Sequence, residues 1–303
     1  MIKSEIKRLA EEAIPLLNKM FGEGFDFYFT EYCKSSEAVS GITLDLPGCT
    51  NPPMIRMEDL PDNATAEYVA EIVADSFRSV LRNFQEFPVL PELTRENILD
   101  NVVFQVLSRK RNRQLLKLQS HRIFLDLAAV FRLPIGAYEK NSLRTMLITN
   151  QIQGMFNLTV EDLAKAARRN TVAKFGIEFV NAQQMALGAL MQKPWMPEPF
   201  DTVRMTESGL YTLTNSIHIN GAALILIPDI LEAIGEKAGM DYFLLPTSIH
   251  EVLIVKNDGL LTRKELKEIV YDGNRTGGLT KQEDILSDNV YFYSRKEKAL
   301  IIV

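Results

Sequence analysis

Apolar residues near the start of the chain recur at the spacing of an amphipathic helix. Ile6, Leu9, Ala13 and Leu17 lie three or four residues apart and therefore share one helix face. An alternating aromatic run and a second β-rich run then flank a polar turn, which predicts a hairpin. The elements predicted for this part are helix 6–17, hairpin 25–46 and helix 66–84.

Helical and strand-like patterns both occur in the middle of the chain. A helical pattern begins near Thr94 and runs through Leu107, and a strand-like pattern follows at 121–133. Thr159 and Asp162 have the spacing of a capping box. They predict a helix that ends near Asn170, because Asn is common at helix ends.

From residue 209 onward the patterns are mostly strand-like. The apolar run at 221–228 is short and predicts a buried strand. The last two runs flank a charged turn and predict a closing hairpin. The predicted order is strand 209–216, strand 221–228, helix 229–239, strands 241–246 and 251–255, helix 263–273 and hairpin 289–303.

This order of elements predicts an α+β fold of mostly antiparallel sheets flanked by helices, with a closing C-terminal hairpin. Pro88 and Pro91 bar helix continuation and predict a connector at 86–93. The chain then forms either a helix–hairpin–helix lobe, 1–92, followed by an α+β lobe, 93–303, or one continuous domain.

Composition narrows the class of protein only broadly. Hydrophobic residues make up 46% and charged residues 24% of the 303 residues, which argues against disorder and against membrane embedding. The opening residues do not resemble a secretory signal, and no apolar run reaches the roughly 18 residues of a membrane helix. With only Cys33 and Cys49, we expect reduced thiols and a cytoplasmic protein.

The sharpest chemical candidate is the pair His250–Glu251, which stands between two apolar runs. Two ionisable groups in that position are paired, exposed or functional. On a strand they would point to opposite faces, which weakens a joint catalytic role. Position 254 is Ile, so the helical zinc-protease motif is absent. A structural role is favoured over a chemical one.

His121 and Asp126 are the second pair of catalytic candidates, and they too fall on opposite faces of an ideal strand. A buried Asp126 needs several hydrogen-bond donors, and a structural role in capping backbone amides is the favoured interpretation. His121 and His250 are weak metal candidates, because no pair of histidines has ligand spacing on a common helix. No G-x-S-x-G elbow surrounds Ser287, and no phosphate-binding loop is found. We expect no metal and no cofactor.

One basic segment stands out from a chain whose net charge is −5. Residues 109–122 carry six cations, Arg109, Lys110, Arg111, Arg113, Lys117 and Arg122. Such a run is usually a solvated helix face, and it contains no aromatic residue to stack on bases. Nucleic-acid contact through this segment is a weaker hypothesis, which predicts an affinity that falls steeply with salt.

The chain resembles an uncharacterised bacterial family, a domain of unknown function found in gut Firmicutes. The resemblance lies mainly in residues 90–303. Its motifs are HRIFLDLAAVFR at 121–132, with His121, Phe124, Leu125, Asp126 and Leu127; ITN at 148–150; Asn170–Thr171; LPTSIHEVLIV at 245–255; Asn274; and DILSDNVYFYS at 284–294. Ser120 and Thr247 stand where the family pattern has Pro and Ser. The resemblance implies no catalytic residues, because none are established for that family.

Our first hypothesis is a non-enzymatic binding or regulatory module that acts through protein contacts. The residues of the resemblance are mostly apolar strand and turn positions rather than a reactive set. Trp195, Met196 and Phe200, in a Pro-rich stretch, are the candidate contact residues. The alternative hypothesis is a hydrolase whose cleft gathers either His250 or Glu251 with Asp126 and His121.

Overall fold

The computed structural model describes residues 3–22, 25–34, 37–45, 53–57, 60–61, 63–82, 93–184, 198–205, 209–246, 248–275 and 282–303. The chain divides into two compact units, Met1–Leu90 and Pro91–Val303. This division falls close to the boundary that the two prolines indicate. Whether each unit is an independent domain stays a prediction.

The N-terminal unit contains a three-stranded antiparallel sheet and two helices. Its elements are α1 (Lys3–Phe21), β1 (Asp26–Lys34), β2 (Glu37–Asp45), β3 (Met54–Arg56) and α2 (Ala66–Arg82), with the strands in the order β1-β2-β3. Ala10 and Ala13 of α1 and Ala70 and Ala74 of α2 are fully buried in the core. Such small side chains let two helices pack closely.

The C-terminal unit begins with a four-stranded antiparallel sheet. Its first elements are α3 (Arg95–Asn101), β4 (Val103–Ser108), α4 (Arg113–Leu118), β5 (His121–Phe124), β6 (Leu127–Pro134) and β7 (Thr145–Leu147). β6 is the central strand: β4 pairs along one edge, and β5 and then β7 pair along the other. Five of its eight residues form an unbroken buried run, from Leu127 to Phe131.

A six-stranded antiparallel sheet completes this unit, in the order β13-β12-β10-β11-β9-β8. The remaining elements are α5 (Asn150–Met155), α6 (Val160–Phe175), β8 (Glu178–Asn181), β9 (Leu210–Thr214), a 3-10 helix (Gly221–Leu226), α7 (Pro228–Ala238), β10 (Tyr242–Leu245), β11 (Val252–Lys256), α8 (Arg263–Arg275), a 3-10 turn (Gln282–Asp284), β12 (Tyr291–Ser294) and β13 (Ala299–Ile302). Both sheets contribute to one core, in which Phe131, Leu163, Leu224 and Tyr291 are fully buried.

The α+β class, the antiparallel sheets and the closing hairpin are confirmed. The capping box is present as well: Asp162 N–H donates to the Thr159 hydroxyl, and the Asp162 carboxylate accepts from Thr159 N–H. Within the described part of the chain, no helix has the length and apolar character needed to cross a membrane.

Three predicted elements are wrong. The helix from Thr94 ends at Asn101, and Val103–Ser108 is a strand whose six residues are all buried. The run at 221–228 begins as a 3-10 helix rather than a strand. Asn170 lies inside α6, not at its end. Its side-chain amide does not cap α6 but binds the end of α3. Its Nδ2 donates to the carbonyls of Leu99 and Val102, at 2.9 Å each, at the end of α3.

We expect Asn170→Ala to lower the free energy of unfolding by about 2 kcal/mol, because two carbonyls lose their buried donor. Lys165→Ala is the matched control, since Lys165 is exposed on the same helix; its effect should stay within about 0.5 kcal/mol. Urea unfolding followed by circular dichroism measures both. Equal effects would show that the amide does not hold α3.

Candidate functional site

Asp126 lies in a hairpin turn with a strained backbone. Phe124 pairs with Leu127, so Leu125 and Asp126 form a two-residue turn between β5 and β6. Leu125 has a φ of +54°, which a branched side chain rarely adopts, and such turns normally use Gly, Asn or Asp. The Leu125 side chain packs against the core. The turn is therefore held by tertiary contacts rather than by its own sequence.

The Asp126 carboxylate accepts three side-chain hydrogen bonds from the segment that leads into β12. Ser287 Oγ and Asn289 Nδ2 donate to its Oδ2, at 2.6 and 3.0 Å, and the Tyr291 hydroxyl donates to Oδ1 at 2.5 Å. Burial, and then the Asp126 charge, raise the pKa of Tyr291 well above its usual range. The donors are side chains, not the backbone amides that we expected. This arrangement is an anchor, because every carboxylate oxygen is occupied.

The same segment is held from α8. Asn274 Nδ2 donates to the Ser287 carbonyl and to Asp288 Oδ1, at 3.0 and 2.9 Å. Arg275 donates to both carboxylate oxygens of Asp288, at 3.1 and 3.0 Å, and lies over the Tyr271 ring. The Arg275 guanidinium is the main reason why the pKa of Asp288 is lowered. Residues 287–288 are thus fixed from two directions.

Both ring nitrogens of His250 have neighbours. His250 precedes β11 in a turn, and its Nδ1 accepts from Asn220 N–H at 3.3 Å. Its Nε2 lies 3.6 Å from Asp284 Oδ2, and its side chain is 38% exposed. Because Nδ1 accepts, neutral His250 carries its proton on Nε2 and has no free lone pair.

A chain of hydrogen bonds runs from His250 into the four-stranded sheet. Asn220 Oδ1 accepts from Gln105 Nε2 at 3.0 Å, and Gln105 Oε1 accepts from Arg132 Nε at 2.8 Å. Asn220 adopts a φ of +57°. A Cβ on Gly221 would lie 2.5 Å from the His250 carbonyl oxygen, so only glycine allows this close approach. The loop is therefore fixed against the turn of His250.

Arg132 is a half-buried cation on β6. Burial lowers its pKa to about 10. Within the described part of the chain it forms no ion pair, and its one hydrogen bond is to Gln105. The residue is half-buried rather than buried, so part of it remains accessible to solvent. A cation with this environment is a candidate binding group.

The three histidines lie in separate environments. His121 Nδ1 donates to the Gln119 carbonyl at 2.9 Å, and His218 Nε2 lies 2.9 Å from Glu178 Oε2. No hydrogen bond or ion pair joins any two of the four catalytic candidates, all of which are described. Glu251 is half-buried and makes neither kind of contact with a described residue. Among the described residues, no three His, Cys, Asp or Glu form a group that could hold a metal.

The basic segment is mostly solvated. Arg109, Lys110, Arg113, Lys117 and Arg122 are exposed, and Arg111 is half-buried. Arg122 lies 3.4 Å from Glu161, and Arg111 donates to Gln282. The other four cations form no ion pair with any residue that the structure describes. This part of the surface therefore carries uncompensated positive charge.

Trp195 and Met196 lie outside the described residues, whereas Phe200 is half-buried. Phe200 packs edge-on against Phe179, and Lys237 Nζ lies 4.8 Å from the centre of its ring. The contact role of these residues stays a prediction.

Sequence analysis missed four residues of the polar chain: Gln105, Arg132, Asn220 and Asp284. Arg132 had a usable signal, because it closes the apolar run of the motif at 121–132, and a charge inside a buried strand needs an explanation. The other three had none, since their roles depend on contacts between residues far apart in sequence.

We expect Asp126→Ala to lower the free energy of unfolding by roughly 3 kcal/mol, because three donors, two of them on buried residues, lose a charged acceptor. Asp100→Ala is the control, since Asp100 is exposed on α3. Chemical denaturation of both variants measures the difference. A loss under about 1 kcal/mol would contradict the anchoring role of Asp126.

Stability should also fall at alkaline pH. Burial raises the pKa of Tyr291 and of Tyr242, so both phenols stay neutral in the fold when the unfolded chain ionises. Their contribution is complete below about pH 10 and is lost as the pH rises further, at about 1.4 kcal/mol per pH unit for each tyrosine. Urea unfolding from pH 8 to 11 measures this slope. Tyr291→Phe should have a smaller slope of unfolding free energy against pH than wild type. Equal slopes in the two proteins would show that Tyr291 does not contribute to the loss of stability.

Comparison with known proteins identifies a family but no activity. The model of a family of unknown function, DUF5688, matches residues 6–295. No curated protein and no solved structure matches the chain. The match includes the N-terminal unit, in which the resemblance had no motif. Because the model covers nearly the whole chain, the protein belongs to DUF5688, a family of unknown function.

Proposed function

We propose that this protein is a cytoplasmic, non-enzymatic binding module whose partner is an acidic polypeptide segment. The binding surface consists of Arg109, Lys110, Arg113 and Lys117 with Leu118 and Ile123, and is called the basic surface below. The observation that carries the proposal is that these four exposed cations have no ion-pair partner among the described residues. Uncompensated charge of one sign attracts and orients a partner of opposite charge.

Exposed apolar side chains favour a polypeptide over a nucleic acid. Leu118 is 64% exposed and Ile123 is 44% exposed, and both belong to the same stretch of chain as the cations. Burying such side chains contributes to protein–protein affinity. The stretch contains no aromatic residue for base stacking, although aromatic residues commonly hold single-stranded nucleic acid. A segment that combines Glu or Asp with apolar residues complements both features.

Several buried polar side chains next to the basic surface have atoms without a hydrogen-bond partner in the described chain. Of the five buried side-chain atoms that lack a hydrogen-bond partner in the described chain, four belong to Asn112, Gln119 and Ser120, at the two ends of α4. Each such atom costs about 1 to 3 kcal/mol.

The alternative, a hydrolase, receives less support from the geometry. Asp126 has all its oxygens occupied, and Nδ1 of His250 accepts from a backbone amide. Ser287 donates its hydroxyl proton to a carboxylate rather than to a histidine. A catalytic group must be within reach of the atom it serves and free to act, and these groups are not free.

Charge reversal tests the proposal. We expect Arg113→Glu with Lys117→Glu to weaken binding of a fluorescein-labelled 16-residue peptide of Glu and Leu at least tenfold, as measured by anisotropy. Lys264→Glu with Lys267→Glu is the matched control, because it makes the same change in net charge on exposed positions of α8. The control should bind almost as wild type.

Two further probes separate the alternatives. Leu118→Ser should weaken binding of the Glu–Leu peptide but not of poly-glutamate, because only the first buries Leu118. A 20-base-pair DNA duplex should bind more weakly than the peptide at 150 mM salt. Tighter duplex binding, with an affinity that falls steeply with salt and is unaffected by Leu118→Ser, would support the nucleic-acid hypothesis instead.

A further inference from the structure

The Arg132 guanidinium has a hydrogen-bond partner at Nε but none among the described residues at its two terminal nitrogens. Its Nε donates to Gln105 Oε1 at 2.8 Å, which fixes one edge of the planar guanidinium group. No described carboxylate or carbonyl accepts from the two terminal nitrogens. Structural arginines in protein interiors usually pair with carboxylates. Here the only hydrogen-bond partner among the described residues is a neutral amide, so none of them compensates the positive charge.

The residues around Arg132 fix its orientation. Gln105 cannot turn its amide over, because its Nε2 donates to Asn220 Oδ1. Asn220 is itself held by His250 Nδ1 and by a left-handed backbone. A binding group positioned in this way loses little conformational entropy when a ligand arrives.

His121 lies on the same face of the sheet. Val130 pairs with His121 on one side and with Gln105 on the other, and Arg132 follows two residues later on that face. His121 and Arg132 are therefore diagonal neighbours, about 7 to 8 Å apart at their Cα atoms, within reach of long side chains. His121 Nδ1 donates to the Gln119 carbonyl, which leaves Nε2 available.

We propose that Arg132 and His121 bind the phosphate or carboxylate group of a small anion. A guanidinium fork matches two oxygens of either group and donates to both at once. His121 adds a donor from Nε2 when its ring is protonated. Partial burial strengthens both contacts, because the local dielectric is lower than that of water. This site differs from the basic surface in that Arg132 is half-buried, whereas the cations of the basic surface are exposed.

The site also gives a role to the polar chain behind it. A structural arginine could be replaced by an apolar residue without loss if burial were all that mattered. Gln105 and Asn220 instead keep the charge oriented, and the chain reaches His250 in a second family motif. They are positioning residues for Arg132.

NMR titration tests the site with inorganic phosphate and with acetate, each against sodium chloride at constant ionic strength. We expect saturable shifts of the Arg132 Nε–Hε and His121 ring signals. Arg132→Met should abolish the shift of His121. The matched control is Arg122→Met, which removes an exposed arginine from the opposite face of β5 and should leave the titration unchanged. Saturation at a tenfold lower concentration of phosphate or of acetate identifies the group that the site prefers.

A second variant shows whether a loss of anion binding in Arg132→Met results from misfolding. Arg132→Lys keeps the charge but loses the fork and the bond to Gln105, so phosphate or acetate should bind at least tenfold more weakly with the fold retained. Absence of saturable shifts with both anions in wild type would overturn the proposal. Undiminished binding in folded Arg132→Met or Arg132→Lys would overturn it too. If these variants no longer bind phosphate or acetate but still bind the Glu–Leu peptide, the anion site is distinct from the basic surface.

Discussion

The Asp126 carboxylate joins the two sheets of the C-terminal unit. It lies in the turn between β5 and β6, and its three donors belong to the segment that enters β12. A left-handed backbone at Leu125 costs about 1 to 2 kcal/mol, whereas each hydrogen bond to a charged group contributes about 1.5 to 3 kcal/mol. The tertiary bonds therefore outweigh the local strain. The turn adopts a conformation that its own sequence would not select.

The position of His250 depends on that anchor. The segment fixed at Ser287 runs back beside the turn before β11, where Ile249 N–H donates to the Asp284 carbonyl at 2.9 Å. Asp284 then lies against His250, and His250 accepts from Asn220 N–H. Buried polar groups stabilise a fold only when each has a partner, and here each partner comes from a different stretch of the chain. Three motifs far apart in sequence thus meet in one arrangement.

Periodicity predicted the elements whose burial is one-sided, and the two elements that it assigned wrongly are both buried all round. Both helices of the N-terminal unit and the closing hairpin have a solvated face, so their patterns were informative. Val103–Ser108 is buried at every residue, as is Gly221–Leu226, and an apolar run of this length fits a helix or a strand equally well. Candidate residues were harder still. Composition marked the basic segment, but no local pattern shows that Asp126 accepts from Tyr291 or that Arg132 has no carboxylate partner in the described part of the chain.

The two cationic regions of the C-terminal unit differ in solvent exposure and therefore in local dielectric, and this difference is the reason why we propose different kinds of ligand for them. Charges of the basic surface are solvated, so their attraction is screened over about 8 Å at physiological salt. Such charges attract an extended acidic chain without demanding one geometry. Arg132 is partly desolvated and held in one orientation by Gln105, so its contacts are stronger and more directional. A compact anion with two adjacent oxygens satisfies that constraint, whereas a solvated acidic segment gains little from it.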